Sequence, residues 1–274
     1  MSTQLVREKQ DLTYLSWSLY RNSSGTAGSF LKSYSELGEK KLYYKLSNFD
    51  KVQGVIGHEC VNELIVDRLL TILGIPHLSY QLIHADIMID GKIHEVYLCA
   101  SEDFKEKGES KIALDVYKER EAYPTESALD FCIRMGWEEY TYQMLVVDYL
   151  ILNRDRHGAN IEVLRNSRKK TLCLAPLFDH GLSLLCRCTD DNLVNEFDVM
   201  ADMPCNNYIG SKSTCENLSL IPADKMPTLN PLRECDREIL LEGLNGIISG
   251  ALQDKIWNMI WKRWCVYENF CNSR

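Results

Sequence analysis

The spacing of apolar residues changes between the two halves of the chain, and this change limits the folds that it can adopt. In the first half, short strand-like runs surround a single helical pattern over residues 61–73. Three of these runs cover residues 42–46, 78–83 and 93–98. From about residue 101 the pattern is mainly helical, with a small hairpin inserted. This order predicts an α+β protein with a sheet-bearing N-terminal lobe, residues 1–100, and a helical C-terminal lobe, residues 101–274.

Turn residues indicate where several of these elements end. Gly74 follows the last apolar residue of the first helical pattern and Pro76 comes next, so the helix should stop there. The pair Asp90-Gly91 lies between two strand-like runs and predicts a tight hairpin turn. These signals make the first half a sheet with one helix.

The second half contains two strongly patterned helical regions. Apolar residues spaced by three and four predict a helix within residues 126–153 with one buried face. Two short strands at residues 161–164 and 172–174 should form the inserted hairpin. Near the end an apolar stripe, interpreted as core, consists of Trp257, Ile260, Trp261 and Trp264.

The composition is that of an ordinary globular protein and argues against two classes of partner. Of the 274 residues, 45% are hydrophobic and 26% are charged, so the chain can bury a sizeable core. The net charge is -8 at pH 7, and the surface as a whole should therefore repel nucleic acids and anionic membranes. We expect neither as a partner, and the sequence leaves the oligomeric state open.

The eleven cysteines show no spacing typical of a zinc site or a disulfide framework. They are scattered without any CxxC, and Cys186 and Cys188 are the only close pair. Several lie in apolar runs, as Cys99 does, where cysteine packs as a small hydrophobic residue. Reduced thiols favour a cytoplasmic location, and so does an N-terminus without the apolar core of a signal peptide.

The chemistry is concentrated in two loops after the predicted helix at 126–153. Asp155 is followed five residues later by Asn160, and Asp179 lies beyond the hairpin with Gly181 after it. Phosphoryl transfer needs a carboxylate that orients the attacking hydroxyl and oxygen ligands that hold Mg²⁺ against the phosphates. The Asp-x4-Asn spacing followed by Asp-x-Gly matches the catalytic and metal-binding loops of protein kinases. For Asp155 alone, a helix-end ion-pair network would be an equally good reading.

These loops resemble the C-terminal kinase region of HipA-like serine/threonine kinases and, more distantly, the phosphatidylinositol kinases. The resemblance extends to Asn62-Glu63 and to residues 206–211, and it implies a bilobal protein-kinase-like fold that binds ATP and Mg²⁺ between its lobes. The strings that carry it are Asn153-Arg154-Asp155-Arg156-His157-x-x-Asn160 and Leu174-Ala175-Pro176-x-Phe178-Asp179-x-Gly181.

The resemblance implies a role for each matching residue. Asp155 would be the catalytic aspartate, and Asn160 and Asp179 would be the Mg²⁺ ligands. Lys45 would contact the ATP phosphates, held by a carboxylate from the following helix. Glu63 is the predicted partner, although Glu59 lies one turn earlier on the same helix face and also fits.

The resemblance also implies a hinge at residues 96–100, where Tyr97, Leu98 and Cys99 would meet adenine. The small-residue loop before Lys45 fits neither G-x-G-x-x-G nor a Walker A motif. In HipA-like kinases this loop is autophosphorylated on serine, and Ser23 and Ser24 are the candidates here.

Two histidines are interpreted as non-catalytic. His157 should pack under its loop and bond the backbone near Asp179, whereas His180 should be a semi-exposed neighbour. The predicted function is that of a HipA-like serine/threonine protein kinase whose acceptor is unknown. The alternatives are a phosphatidylinositol-kinase-like lipid or small-molecule kinase and a non-catalytic nucleotide-binding module.

Overall fold

Five strands form one sheet in the first part of the chain, and most helices follow it. The computed structural model describes residues 4–18, 30–37 and 40–272, so the candidates Ser23 and Ser24 lie outside the described residues. The strands are β1 (Leu5–Asp11), β2 (Lys32–Leu37), β3 (Lys40–Leu46), β4 (Phe49–Asp50), β5 (Gly54–Val55), β6 (Gln81–Ile89), β7 (Lys92–Glu102), β8 (Ser110–Ala113), β9 (Asp155–Arg156), β10 (Glu162–Asn166), β11 (Thr171–Leu174) and β12 (Asn206–Asn207). The helices are α1 (Glu59–Leu73), α2 (Leu114–Glu121), α3 (Ala128–Arg134), α4 (Glu138–Leu150), α5 (Asp191–Glu196), α6 (Thr214–Ser219), α7 (Asp236–Leu241) and α8 (Gly250–Asn272).

The five-stranded sheet has the order β1-β6-β7-β3-β2. β1 runs parallel to β6, and the other neighbours are antiparallel. The β6–β7 hairpin turns at Asp90 and Gly91, which both have positive φ, so the predicted tight turn is confirmed. In the β3–β7 pair Lys45 lies opposite Cys99, and side chains of such partners point to the same face of a sheet.

The two faces of this sheet belong to different cores. One face carries Leu46 and Leu98 into a cluster within the sheet region, together with residues that precede β2. The other face carries Cys99 toward α1, which joins a larger core containing the C-terminal helices. A second, three-stranded sheet of β11, β10 and β8 contains the predicted hairpin.

Helix α1 is buried around almost its whole circumference. Thirteen of its fifteen residues are buried, including Glu63, and its polar side chains therefore need partners inside the protein. The helix ends at Gly74, whose φ of 74° is the left-handed conformation that glycine adopts readily. The backbone N–H of Gly74 bonds the carbonyls of Leu70 and Thr71, which closes the last turn.

The α+β prediction is confirmed, but several boundaries differ. The helix expected over 126–153 is two helices, α3 and α4, because Gly136 between them has a φ of 79°. The strand expected at 78–83 begins at Gln81 and continues to Ile89. In the tryptophan stripe Ile260 and Trp264 are buried, whereas the neighbouring Trp257 and Trp261 are half-buried and stack on each other at 5.6 Å.

Among the described residues, no helix is long and apolar enough to cross a membrane.

The end of α1 provides a test of the fold. Gly74→Ala should lower the free energy of unfolding by about 1 kcal/mol, because an alanine is strained at a φ of 74°. Gly250→Ala is the matched control, since Gly250 starts α8 and an added Cβ would meet open space. Urea unfolding of this control should show stability equal to or slightly above that of the wild type. Equal losses in the two variants would contradict the assigned cap.

Candidate active site

A cavity of about 650 Å³ lies where β3, β7 and the loop around Asp179 meet. Its volume is in the range of small-molecule sites. Lys45 and Asp179 both line it, and an apolar part is formed by Leu78, Phe104 and Phe178. Phe104 and Phe178 lie against each other with ring centroids 5.4 Å apart. The cavity therefore combines a charged end with an aromatic surface.

The charged end is built around the ammonium group of Lys45. Its Nζ lies 3.0 Å from Glu63 Oε1 and 2.5 Å from Asp179 Oδ1. Burial lowers the pKa of Lys45, but the charges of Asp179 and Glu63 outweigh it and hold the pKa well above its ordinary value. Lys45 therefore remains a cation inside the protein.

The structure decides which carboxylate of α1 meets Lys45. Glu63 does so, whereas Glu59 accepts a hydrogen bond of 3.0 Å from the backbone N–H of Asn48. Burial raises the pKa of Glu63, Lys45 opposes that shift, and Asp179 adds to it, with a net rise. The second oxygen of Glu63 accepts the backbone N–H of His180 at 2.8 Å, so this carboxylate also fixes the loop after Asp179.

The backbone on both sides of Asp179 is held by side chains from other elements. Asp179 has a φ of 58°, a conformation that is uncommon for residues other than glycine. Its N–H donates to the phenolic oxygen of Tyr80 at 3.2 Å. The amide of Asn62 donates to the carbonyls of Gly181 and Ser183 at 3.0 and 3.1 Å. These bonds compensate for the strain and fix where the carboxylate points.

Gly181 lets this loop approach α1 and Lys45 closely. A Cβ at this position would lie 3.1 Å from Cβ of Glu59 and 3.2 Å from Nζ of Lys45. Any larger residue would press directly on the ammonium group. Steric contact with Glu59 and Lys45 therefore explains why glycine occupies the last position of the Asp-x-Gly motif.

Asn160 has the donor arrangement expected of a metal ligand. It ends a short 3-10 turn, and its Nδ2 donates to the carbonyl of Asp155 at 2.9 Å, which fixes the amide. Its Oδ1 is buried and has no hydrogen-bond partner within the described ranges. A buried acceptor without a partner is costly, and a hard cation would satisfy it. The donor set of Asn160 and Asp179 thus fits Mg²⁺.

The described residues contain no cluster of the kind that holds zinc. Within residues 4–18, 30–37 and 40–272, no three or more His, Cys, Asp or Glu side chains come together to hold a metal ion. A zinc site usually needs such a cluster. Mg²⁺ needs only one or two protein carboxylates beside substrate phosphates, so an Asn–Asp pair is compatible with it.

The buried guanidinium of Arg156 links the two predicted loops. It pairs with the buried carboxylate of Asp148 at 3.0 Å. Its Nη1 also donates to the carbonyls of Asn160 at 3.2 Å and Phe178 at 3.0 Å. One side chain therefore joins three separate segments, which are the end of α4, the Asn160 turn and the Asp179 loop.

Two interpretations of histidine residues were wrong. Arg156 makes the buried contact near Asp179 that was expected of His157, because a guanidinium can donate to several carbonyls at once. His157 instead lies 3.7 Å from Asp155 with its side chain 36% exposed. His180 was expected to be semi-exposed but is 2% exposed, and burial holds its pKa well below the ordinary value.

Asp155 lies at the start of β9, and its carbonyl accepts the hydrogen bond from Asn160. Its side chain is 30% exposed. The strand β9 pairs in parallel with β12, which places Asn206 opposite Asp155. The Nδ2 of Asn206 donates to Asp155 Oδ1 at 3.3 Å, and its backbone N–H donates to the carbonyl of Arg154 at 2.8 Å. The segment around residue 206 is thus docked on the Asp155 loop.

Of the three residues predicted to meet adenine, one lines the cavity. Cys99 lines the cavity. Leu98 points to the opposite face of the sheet into the β-rich core, and Tyr97 packs toward the helical core and stacks on His84 at 4.8 Å. The cavity is instead lined by residues 101–105, where the chain leaves β7. The cavity wall therefore lies a few residues beyond the segment 96–100, and contact of that segment with adenine stays a prediction.

Comparisons with known proteins give a match of fold and none of sequence. No protein-family model and no curated protein matches the chain. The crystal structure of CtkA, a proinflammatory kinase of Helicobacter pylori, matches with a TM-score of 0.62 and 14% identity, over 97% of this chain and 98% of CtkA. HipA of Shewanella oneidensis MR-1, solved with HipB and its operator DNA, matches with a TM-score of 0.41 and 15% identity, over 90% of this chain and 58% of that chain. The chain therefore has a fold similar to that of the kinase CtkA, and the predicted resemblance is confirmed as a likeness of fold.

The Arg156–Asp148 pair should be essential for stability. Arg156→Met leaves the Asp148 carboxylate buried without its cation and should cost about 3–5 kcal/mol in urea unfolding. Lys225→Met breaks the exposed pair with Glu138 and should cost about 1 kcal/mol or less. The double variant Asp148→Leu/Arg156→Met should recover part of the loss, since no unpaired charge remains. A double variant less stable than Arg156→Met would contradict this account.

His58, just before α1, should make stability depend on pH. Burial lowers its pKa from 6.5 to about 4, against a hydrogen bond with the backbone of Leu185 that raises it. Between these values the unfolded chain binds a proton that the folded chain does not, so stability falls as the pH falls. From pH 7 to pH 5 this histidine should remove about 2 kcal/mol. Urea unfolding of His58→Asn should show a pH dependence weaker by that amount, and an unchanged dependence would refute the assignment.

Proposed function

We propose that the chain is an ATP- and Mg²⁺-dependent phosphotransferase, a cytoplasmic serine/threonine protein kinase of the HipA-like class. The observation that carries the proposal is the contact of Lys45 with both Glu63 and Asp179 at one end of the cavity. A lysine that is kept charged beside two carboxylates is the arrangement that protein kinases use to position ATP phosphates. The similarity of fold to a kinase supports the same reading.

ATP would lie with its phosphates at Lys45 and its base toward the aromatic end. The side chain of Lys45 is only 12% exposed, so an interaction of its ammonium with a phosphate is weakly screened by water. Phe104, Phe178 and Leu78 offer an apolar surface of the kind that binds a purine ring. We assign the hinge contacts to residues 101–105, with Cys99 on the cavity wall next to Lys45.

Asn160 and Asp179 would hold Mg²⁺. When bound, the ion would neutralise phosphate charge and orient the transferred group. The chain's own contribution is to fix both ligands in advance: Asn160 through its bond to the Asp155 carbonyl, and Asp179 through Lys45 and Tyr80. This fixed geometry is the main requirement for transfer, because phosphoryl transfer depends mostly on position and electrostatics.

Asp155 would orient the acceptor hydroxyl and take its proton. Its carboxylate is partly exposed, so an acceptor can approach it. Asn206 donates to one oxygen, and His157 lies 3.7 Å from the other. The acceptor would be a serine or threonine of a protein, including Ser23 or Ser24 of the chain itself.

Transfer of the terminal phosphate of ATP tests this proposal. Asp155→Asn should lower incorporation of labelled phosphate by at least about a hundredfold, because the residue that orients the acceptor is lost while the shape is kept. Asp224→Asn makes the same chemical change at an exposed position and should leave incorporation unchanged. The measurement is the amount of labelled phosphate on the chain and on added proteins. A separate experiment offers lipid headgroups as acceptors.

Equal incorporation by wild type and Asp155→Asn would defeat the assignment. Label on lipid but not on protein would move it to the lipid-kinase alternative. Phosphopeptide mapping of the labelled chain would test Ser23 and Ser24 directly.

A further inference from the structure

Two buried thiols converge on the backbone of Lys45. Cys60, in the first turn of α1, donates its S–H to the carbonyl of Lys45 at 3.1 Å, and Cys99, opposite Lys45 in β7, donates to the same oxygen at 3.7 Å. The single S–H of either thiol can also turn to the other sulfur. Each residue is 1% exposed. Both sulfurs lie within 3.7 Å of the same carbonyl oxygen, so they are neighbours in the interior.

The cavity gives small solutes access to this pair. Cys99 and Lys45 both line the cavity, although little of Cys99 is reached by bulk solvent. Three other cysteines, Cys173, Cys215 and Cys235, are exposed on the surface. Among these positions, only Cys99 lines the cavity, and Cys60 is the thiol beside it.

The two thiols differ in how readily each loses its proton. Burial raises the pKa of Cys60, but the hydrogen bonds with Cys99 and Ser47 and the charge of Lys45 outweigh it, so the net shift is downward. The bond with Cys60 and burial raise the pKa of Cys99 well above its ordinary value. Cys99 lines the cavity and therefore meets an oxidant first, and Cys60, which loses its proton more readily, is the thiol that follows.

We propose that Cys60 and Cys99 form an oxidation site that closes to a disulfide when a small hydroperoxide enters the cavity. In the first step the Cys99 sulfur attacks a peroxide oxygen, the O–O bond breaks, and water leaves with the Cys99 proton. In the second step the Cys60 sulfur attacks the sulfenic sulfur of Cys99, the S–O bond breaks, and a second water leaves with the Cys60 proton. The two sulfurs are oxidised by two electrons in total, and hydrogen peroxide is reduced to two waters.

The disulfide would act on the site through Lys45. Both S–H donors to its carbonyl are lost, and α1 is tied covalently to β7 at the level of the Lys45–Glu63 contact. A nucleotide in the cavity would lie over Cys99 and should protect the pair. This protection rests on the proposed function, whereas disulfide formation does not.

Peptide mapping of the wild-type chain tests the site. The reduced protein is treated with hydrogen peroxide, the remaining thiols are alkylated, and linked peptides are identified by mass spectrometry. We expect a Cys60–Cys99 link that dithiothreitol removes and that neither Cys60→Ser nor Cys99→Ser can form. Oxidation of the exposed Cys173 is the internal control for the oxidant dose.

The nucleotide arm repeats the experiment with ATP and Mg²⁺. At a concentration about ten times the Kd, nucleotide should slow formation of the link about tenfold and leave Cys173 oxidation unchanged. Full oxidation of Cys173 without a Cys60–Cys99 link would overturn the oxidation site. A link that forms at the same rate with and without nucleotide would support the oxidation site and count against the nucleotide cavity of the proposed function.

Discussion

The buried carboxylate of Glu63 is the contact on which the rest of the site depends. One oxygen meets the ammonium of Lys45 on β3, and the other accepts the N–H of His180 after Asp179. A buried charge is expensive unless it is paired and hydrogen-bonded. Glu63 finds both of its partners only if the sheet, α1 and the Asp179 loop are all in place. The position of the site is therefore coupled to the correct packing of three distant segments.

Arg156 holds the Asp179 loop from the other side, as Glu63 does from α1. Its guanidinium compensates Asp148 and also satisfies carbonyls of the Asn160 turn and of Phe178. An arginine suits this position because its planar group offers several donors in fixed directions. The backbone around Asp179 is thus bonded from α1 on one side and from the Asp155 loop on the other. Little freedom is left for the Asp179 carboxylate, so its position is fixed in advance.

Two of the places where the structure breaks local rules lie in the candidate site. Asp179 has a positive φ, and Asn160 keeps a buried oxygen without a partner in the part of the chain that the structure describes. Such features cost free energy and persist where the surrounding structure over-determines them. Lys45 makes contacts at both of its ends. Its ammonium lies in the site, and its backbone carbonyl accepts hydrogen bonds from two thiols.

The sequence by itself determined the α+β order, the end of α1 at Gly74, and the pairing of Asp155 with Asn160 and Asp179 as a motif. These are local properties, since apolar spacing, turn residues and short intervals are readable without knowing how segments pack. Packing alone decided that Glu63 rather than Glu59 meets Lys45, because both lie on one helix face a turn apart. It also decided that Arg156 and Tyr80 hold the Asp179 loop, and that residues 101–105 rather than Tyr97 and Leu98 line the cavity. Contacts between residues up to 134 positions apart leave no periodic signal in the chain, because they arise only when separately folded segments meet.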